Sequence, residues 1–594
     1  MKVGEHRDDL TRRLPLLRLV FVLAVVGIGS TYWFVQVVQG SYYRELAENN
    51  RLRKVPVKAP RGLIYDREGR LLVGNVPSYE LYLDRSQSDD VGASLRHAAA
   101  ILGRPVADLE AELARYRRTS RFTPVLIAEG LSLSQVSSFW VEALEHPEFE
   151  VDVAHLRVYR HGPIAAHLLG YVGEATESHL KNGNGRLAVG DQVGRSGVEQ
   201  TFDRRLRGVD GEREVVVDSR GRLRAEHDSE PARPGADLRL TLDLDLQQEA
   251  ARFFADRVGA AVALDPRNGE ILALISAPAF EPNRFARRLR GGEWAEILAA
   301  PHQPLQNRAL SSEYPPGSIF KIVVAVAGLN DRVVSESDRV WCPGSARIYN
   351  RRFRCWQRNG HGWVNLHEAI RESCDIYFYQ LGQKLGISRI ARYARLFGLG
   401  SHTGVDMAAE SSGLVPDLEW SQRHRGEPWY PGETISVAIG QGPLQVTPLQ
   451  VATMMATLAN GGRPVTPYLE LGREPRERPR LDVEEDVLTM VRESLRAVVG
   501  EGTGTAARVA GLDIAGKTGT AQVIEQKTWV DSTTLPFEQR DHAWFASFGD
   551  YHDPELVVVV FVEHGGKGST EATPLARTLY EKYYGNRRNT RRPV

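Results

Sequence analysis

From Leu19 to Tyr43 no charged residue interrupts the run LVFVLAVVGIGSTYWFVQVVQGSYY. That length spans a bilayer as a helix, and Tyr32, Trp33, Tyr42 and Tyr43 are candidate interfacial aromatics. Bulky Tyr32-Trp33-Phe34 continue the run where a cleaved signal would offer small residues, so it reads as an uncleaved anchor. Arg12, Arg13 and Arg18 precede it and Arg44, Arg51, Arg53 and Lys54 follow, so flanking charge leaves its orientation open. Further on, apolar stretches on either side of Asp66-Arg67-Glu68-Gly69 read as a hairpin over 62–73. Leu95, Leu102, Leu109 and Leu113 recur at helical spacing and predict a helix over 93–116. Gly190 to Arg222, dense in Gly, Asp and Arg, predicts loops and short strands, and Glu230-Pro231-Ala232-Arg233-Pro234-Gly235 marks a boundary. Beyond it a helical pattern runs from Leu246 to Phe254. Ala260–Leu264 with Ile271–Ile275, and Ala543–Phe548 with Leu556–Val562, form two hairpins. Sheet at both ends of a mostly helical stretch predicts one α/β or α+β domain. The expected organisation is a tail over 1–18, an anchor over 19–43, a mixed domain over 44–235, a second domain over 236–585 and a basic tail over 586–594.

The chain's 594 residues exceed one ordinary domain. Lys+Arg and Asp+Glu balance at 75 each, which argues against a nucleic-acid binder. Arg587, Arg588, Arg591 and Arg592 read as a charged, frayed tail. The three cysteines are too few for a disulfide scaffold.

Three segments carry chemistry. Pro315-Pro316-Gly317-Ser318-Ile319-Phe320-Lys321 opens an apolar helix, so Ser318 and Lys321 lie one turn apart on one face. A lysine amine made neutral by burial or a nearby cation takes a serine proton. Ser373-Cys374-Asp375 opens a second helix, and Gly516-Lys517-Thr518-Gly519-Thr520 lies on a strand. The hydroxyls of Thr518 and Thr520 suit a carboxylate, Lys517 supplies positive charge, and Gly519 leaves the backbone unobstructed.

In this order the segments resemble the active site of the penicillin-binding protein and serine β-lactamase superfamily, whose Ser-x-x-Lys, Ser-Asp-Asn and Lys-Thr-Gly motifs are well defined. The resemblance implies that Ser318 is the acylated nucleophile and Lys321 its base. It makes Ser373 a proton relay, and Lys517, Thr518 and Thr520 the carboxylate holders. The N–H groups of Ser318 and Thr520 would form the oxyanion hole. Asp375 replaces the usual Asn and cannot, when ionised, donate to a substrate carbonyl. It is expected to stabilise protonated Lys321 or to accept the Ser373 hydrogen. Pro60-Arg61-Gly62-Leu63-Ile64-Tyr65-Asp66-Arg67-Glu68-Gly69 and Gly194-Arg195-Ser196-Gly197-Val198-Glu199 resemble the pedestal of class B penicillin-binding proteins. Ser373–Tyr379 and Asp541-His542-Ala543-Trp544-Phe545 look like the elongation-type subgroup, penicillin-binding protein 2.

The implied fold is a single transmembrane helix, an elongated pedestal of the dimerisation type and a transpeptidase domain with a central antiparallel sheet between helices. The implied activity is D,D-transpeptidation of peptidoglycan stem peptides ending in D-Ala-D-Ala, blocked by β-lactams, with D,D-carboxypeptidation when water is the acceptor. Catalysis would need no cofactor. The implied place is the bacterial inner membrane with a periplasmic catalytic domain, and the implied partner a SEDS-family glycan polymerase. A division-type enzyme, a β-lactam sensor and a scaffold that activates a polymerase are the competing readings.

All the cysteines fall in one window, Cys342-x12-Cys355-x5-His361-x12-Cys374. Three thiolates and an imidazole make a closed tetrahedral set for structural zinc. A Cys342–Cys355 disulfide and three unlinked cysteines are the alternatives.

Overall fold

In the computed structural model the apolar run is helical, with α-helix over Glu5–Trp33 continued by a π-helical turn over Phe34–Val38. Its span from Leu14 to Val38, 25 residues of mean hydropathy 2.0, buries no part of its surface in the protein, as an element solvated by lipid requires. The structure describes residues 5–43, 52–117, 119–182, 187, 190–217, 223–289, 292–524 and 530–590. Two compact units are interleaved along the chain: Met1–Pro60, Pro77–Ala154 and Gly208–Pro234 form one, and Arg61–Val76, His155–Arg207 and Gly235–Val594 the other.

The first unit holds a three-stranded sheet of Leu52–Val57, Gly211–Val217 and Leu223–Glu230. It also has a core in which Leu81 and Leu83 pack with Leu95, Leu109, Ile127 and Val136. The helix expected over 93–116 is two helices, Val91–Leu102 and Val106–Arg115. Gly103 closes the first at φ 63° and Pro105 caps the second. Glycine accepts the left-handed conformation that ends a helix, and proline cannot continue one. Leucine spacing carried across this break because both helices face one core.

In the second unit Ile64–Tyr65 pairs antiparallel with Leu71–Val73, as the hairpin pattern predicts. The Asp66 carboxylate holds the turn, accepting from the N–H groups of Glu68 and Arg70. Short helices over Gly197–Thr201 and Asp203–Arg207 appear where loops and strands were expected. Each is too brief to show helical periodicity in sequence.

The catalytic sheet has five strands: β1 (Gly259–Leu264), β2 (Ile271–Ala277), β3 (Ile514–Ala521), β4 (His542–Gly549) and β5 (Leu556–Val562). Their order is β2-β1-β5-β4-β3 and all pairings are antiparallel. In β5, Val557, Val559 and Phe561 join the larger core, whereas Val558, Val560 and Val562 join a second one on the other face. A strand covered on both sides reads as a continuous apolar run. Helices α1 (Leu244–Phe253) and α6 (Thr573–Thr590) cover the second face. The first is covered by α2 (Lys321–Asn330), α3 (Asp375–Leu396), α4 (Pro448–Ala459) and α5 (Glu485–Gly500). α6 extends into the expected basic tail, of which residues 591–594 lie outside the described residues. The mostly helical stretch between the hairpins is interrupted at 340–364 by two small antiparallel ladders, one nested inside the other.

Glu199 is fully buried and accepts from Arg157 at 2.7 Å and from Arg61 at 2.6 Å. Its negative charge offsets two guanidinium groups withdrawn from water. Glu199→Gln leaves buried Arg157 uncompensated, while Arg61 keeps Asp203 at 2.9 Å, and is expected to lower unfolding free energy by ~3–5 kcal/mol. Glu581→Gln, in an exposed pair with Arg577, should cost ~1 kcal/mol or less. Urea denaturation of the two variants checks the contrast.

Candidate active site

Three elements converge on one buried polar centre. Gly317–Phe320 forms a single 3-10 turn leading into α2. That turn places Ser318 at the cleft surface and Lys321 fully inside. Gly317 adopts φ 54°, and a Cβ there would lie 2.6 Å from the Thr520 carbonyl oxygen. The nucleophile turn and β3 can approach this closely only because the residue is glycine. Gly317 N–H also donates to the Gly440 carbonyl at 2.9 Å.

Lys321 Nζ donates to Asp375 Oδ1 at 2.7 Å, to the Ser373 carbonyl at 2.8 Å and to Ser373 Oγ at 3.2 Å. Among the described residues its hydrogen bonds go to the second motif rather than to Ser318. Ser373 sits at φ 55° between the helix Leu366–Arg371 and α3. A non-glycine residue held there is a strained position, of the kind that clusters at functional sites. Its conformation turns both its carbonyl and its hydroxyl to the lysine. Asp375 Oδ2 accepts from the Trp356 N–H at 2.9 Å. Burial pushes the Asp375 carboxyl above its ordinary value, against the pull of Lys321. Both Asp375 oxygens are thus engaged, one by the Lys321 amine and one by the Trp356 backbone.

On β3, Lys517 is fully buried. Burial first, and then the nearby Lys321, hold its amine well below the usual lysine value. Its Nζ donates to the Thr518 carbonyl at 3.1 Å. Lys517 belongs to the same enclosed charge cluster as Lys321 and Asp375, and the hydroxyl of partly exposed Thr520 is the more open carboxylate contact. At Gly519 a Cβ would meet Trp544 at 3.0 Å and Ile319 and Pro316 at 3.1 Å. The missing side chain admits the nucleophile turn. Two neighbours lay outside the three motifs: Thr503 Oγ1 lies 2.7 Å from Thr518 Oγ1, and Gln441 Nε2 donates to the Thr520 carbonyl at 3.3 Å. Neither is within the motifs' local spacing.

Behind the second motif, Cys342, Cys355, His361 and Cys374 offer ligand atoms that all lie within 4.8 Å of one another. His361 Nδ1 is 3.6 Å from Cys342 Sγ and 3.5 Å from Cys355 Sγ. The edge between S and N ligands of a tetrahedral zinc ion is roughly 3.5 Å, given Zn–S of about 2.3 Å and Zn–N of about 2.0–2.1 Å. The set fits zinc, and the cysteines are free thiols rather than a Cys342–Cys355 disulfide. Hydrogen bonds with Cys355 and Cys374 pull the Cys342 thiol far below its ordinary value, while contacts with Cys342 and Cys355 push Cys374 up. The sulfurs cannot all ionise together without a cation between them.

With this geometry in place, the comparisons with known proteins are decisive. Residues 259–581 match the penicillin-binding protein transpeptidase domain and residues 56–240 the penicillin-binding protein dimerisation domain. The chain belongs to the class B penicillin-binding proteins. It is 34% identical to the peptidoglycan D,D-transpeptidase MrdA of Haemophilus influenzae, over 98% of this chain and 92% of that one. Among solved structures, the complex of penicillin-binding protein 2 with MreC from Helicobacter pylori aligns at TM-score 0.80 with 28% identity, covering 90% of this chain and 100% of that one. A structure described as showing how a peptidoglycan synthase complex coordinates polymerization and crosslinking aligns at TM-score 0.70 with 32% identity, covering 96% and 98%.

Asp375→Asn removes the anion that faces Lys321. Acylation by a β-lactam, followed by stopped-flow or gel fluorescence, should slow by ~10²-fold or more. The same change tests the raised Asp375 pKa. A carboxyl raised on folding favours the folded state most below its unfolded value, and that contribution fades as pH rises through the folded value. Stability measured from acid to neutral pH should therefore lose this declining component in the variant.

Proposed function

We propose that the chain is an elongation-type peptidoglycan D,D-transpeptidase that works through an acyl-serine at Ser318. The observation that carries this reading is the enclosed Lys321–Asp375–Ser373 cluster one turn from a partly exposed serine. Ser318 Oγ attacks the carbonyl of the penultimate D-Ala in a stem peptide, and its proton passes to Lys321. Asp375 stabilises the ammonium that results. Lys517, its amine held well below the usual lysine value by burial and by Lys321, lines the same enclosed cluster. Ser373 Oγ lies on the path from Lys321 to the leaving amine and hands the proton on, so terminal D-Ala departs. The amine of a neighbouring stem then takes the acyl group; water in its place gives the D,D-carboxypeptidase side reaction. The N–H groups of Ser318 and Thr520 hold the oxyanion, and Thr518 and Thr520 hold the terminal carboxylate.

The domains in this reading are the anchor over 19–43, a dimerisation-type pedestal over 44–235 and the transpeptidase domain over 236–585. The N-terminal helix is the single membrane anchor, with residues 1–18 inside the cell and the catalytic domain in the periplasm. A SEDS-family glycan polymerase is the partner that supplies strands, and the anchor and pedestal are its docking elements. The similarity to structures that join penicillin-binding protein 2 to MreC, and polymerization to crosslinking, supports this assembly. Cys342, Cys355, His361 and Cys374 hold a structural zinc ion that fixes the start of α3, and the acyl-serine steps do not use it.

Supplied with pentapeptide-bearing glycan, the full-length protein should release D-Ala and form cross-links, whereas Ser318→Ala should form none. Cross-linking by that variant at the wild-type rate would sink the assignment. Native mass spectrometry should show a mass excess of one zinc ion that Cys355→Ser loses. A protein two protons lighter without metal would place a disulfide there instead.

A further inference from the structure

The hairpin pair over 340–364 places an exposed aromatic and cationic surface against the catalytic cluster. Val340–Cys342 pairs antiparallel with Gly362–Val364. Strand alternation turns Cys342 and Val364 inward and leaves the directly opposed Trp341 and Trp363 facing out, 52% and 59% exposed. Their rings lie 5.8 Å apart at 59°, forming a shallow angled shelf. Trp356, also half exposed, joins this surface to the site. Its backbone N–H donates to Asp375 and its indole Nε1 donates to the Glu372 carbonyl at 2.9 Å. Between Asp338 and Glu368 the sequence has six arginines and no carboxylate. Arg347 and Arg352, on the second hairpin, are exposed. Folding normally hides aromatic area of this size, and indoles left in water beside arginines mark a recognition surface.

We propose that Trp341 and Trp363 form a glycan-binding subsite that holds a peptidoglycan strand while its stem peptide reaches Ser318. The inference rests on the transpeptidase reading above. A flat indole offers an apolar face to the C–H face of a pyranose, as it does to other flat, partly polar ligands. The neighbouring guanidinium groups match the carboxylates of the stem peptides, which the acid-free stretch does not repel. The charge complementarity selects an anionic saccharide strand over a neutral apolar partner. Because this platform shares a segment with the Cys/His cluster, it is held in fixed register with the second motif.

The test uses full-length Trp341→Ala, Trp363→Ala and the double variant, with an uncross-linked pentapeptide-bearing glycan polymer and with penicillin. Penicillin carries no sugar, so its acylation rate should match the wild type. Half-saturation by the polymer should rise about tenfold or more, the usual cost of truncating an aromatic anchor. The effect should shrink for disaccharide-pentapeptide, which offers the shelf far less glycan than the polymer does. An unchanged half-saturation by the polymer overturns the subsite. So does a parallel loss of penicillin acylation, which would mean that the indoles only support the catalytic cluster. A defect seen only when the glycan polymerase is added would assign the shelf to a protein partner and also overturn it. Failure of the wild-type protein itself to react with penicillin would instead remove the transpeptidase reading.

Discussion

A lysine amine that takes up a proton out of reach of water needs an anion beside it, and Lys321 has one in Asp375 at 2.7 Å. Much of the catalytic unit follows from that constraint. Removing one partner of such a pair leaves an uncompensated charge inside the protein. The two groups come from different helices, so α2 and α3 must meet within a hydrogen-bond length. Ser373 accepts a strained backbone to point two oxygens at the same amine. Lys517 completes the cluster from β3, its amine held well below the usual lysine value by burial and by Lys321. The sheet, buried on both faces, is the rigid frame that holds β3 against the nucleophile turn.

The same carboxylate reaches outward. Asp375 takes its second hydrogen bond from the N–H of Trp356, the residue after Cys355, and follows Cys374 in sequence. The Cys/His cluster thus braces the catalytic lysine through one side chain and one backbone bond. A metal at that cluster would act on chemistry by positioning, at a distance from the reacting atoms. The arrangement explains how an Asp can replace the family's usual Asn: its oxygens are both committed to holding the site together.

Much of this was legible in sequence because it is local. The anchor is a run of uncharged residues, the hairpins around 265–269 and 550–554 are apolar strands about turn residues, and the three motifs show their spacing directly. The resemblance gave the motifs their order and roles. What was not legible depends on contacts between distant segments. Gly519 was read as leaving the backbone unobstructed for a carboxylate; that its missing side chain also makes room for Ile319 and Pro316, some 200 positions earlier, shows only in the fold. The burial of Lys517 was not legible, because burial is not written in a Lys-Thr-Gly triplet. Leucines at helical spacing ran through the Gly103–Pro105 break because two helices sharing one core keep one phase. The hairpins over 340–364 hid among arginines and glycines, since their fold is organised by the cysteines and histidine rather than by a large apolar face.

The most direct test of the central claim is the mass of the full-length protein after incubation with penicillin, with peptide mapping of the product. The account predicts one covalent adduct, located on Ser318 and absent from Ser318→Ala. An unmodified protein, or an adduct on any other residue, would contradict it.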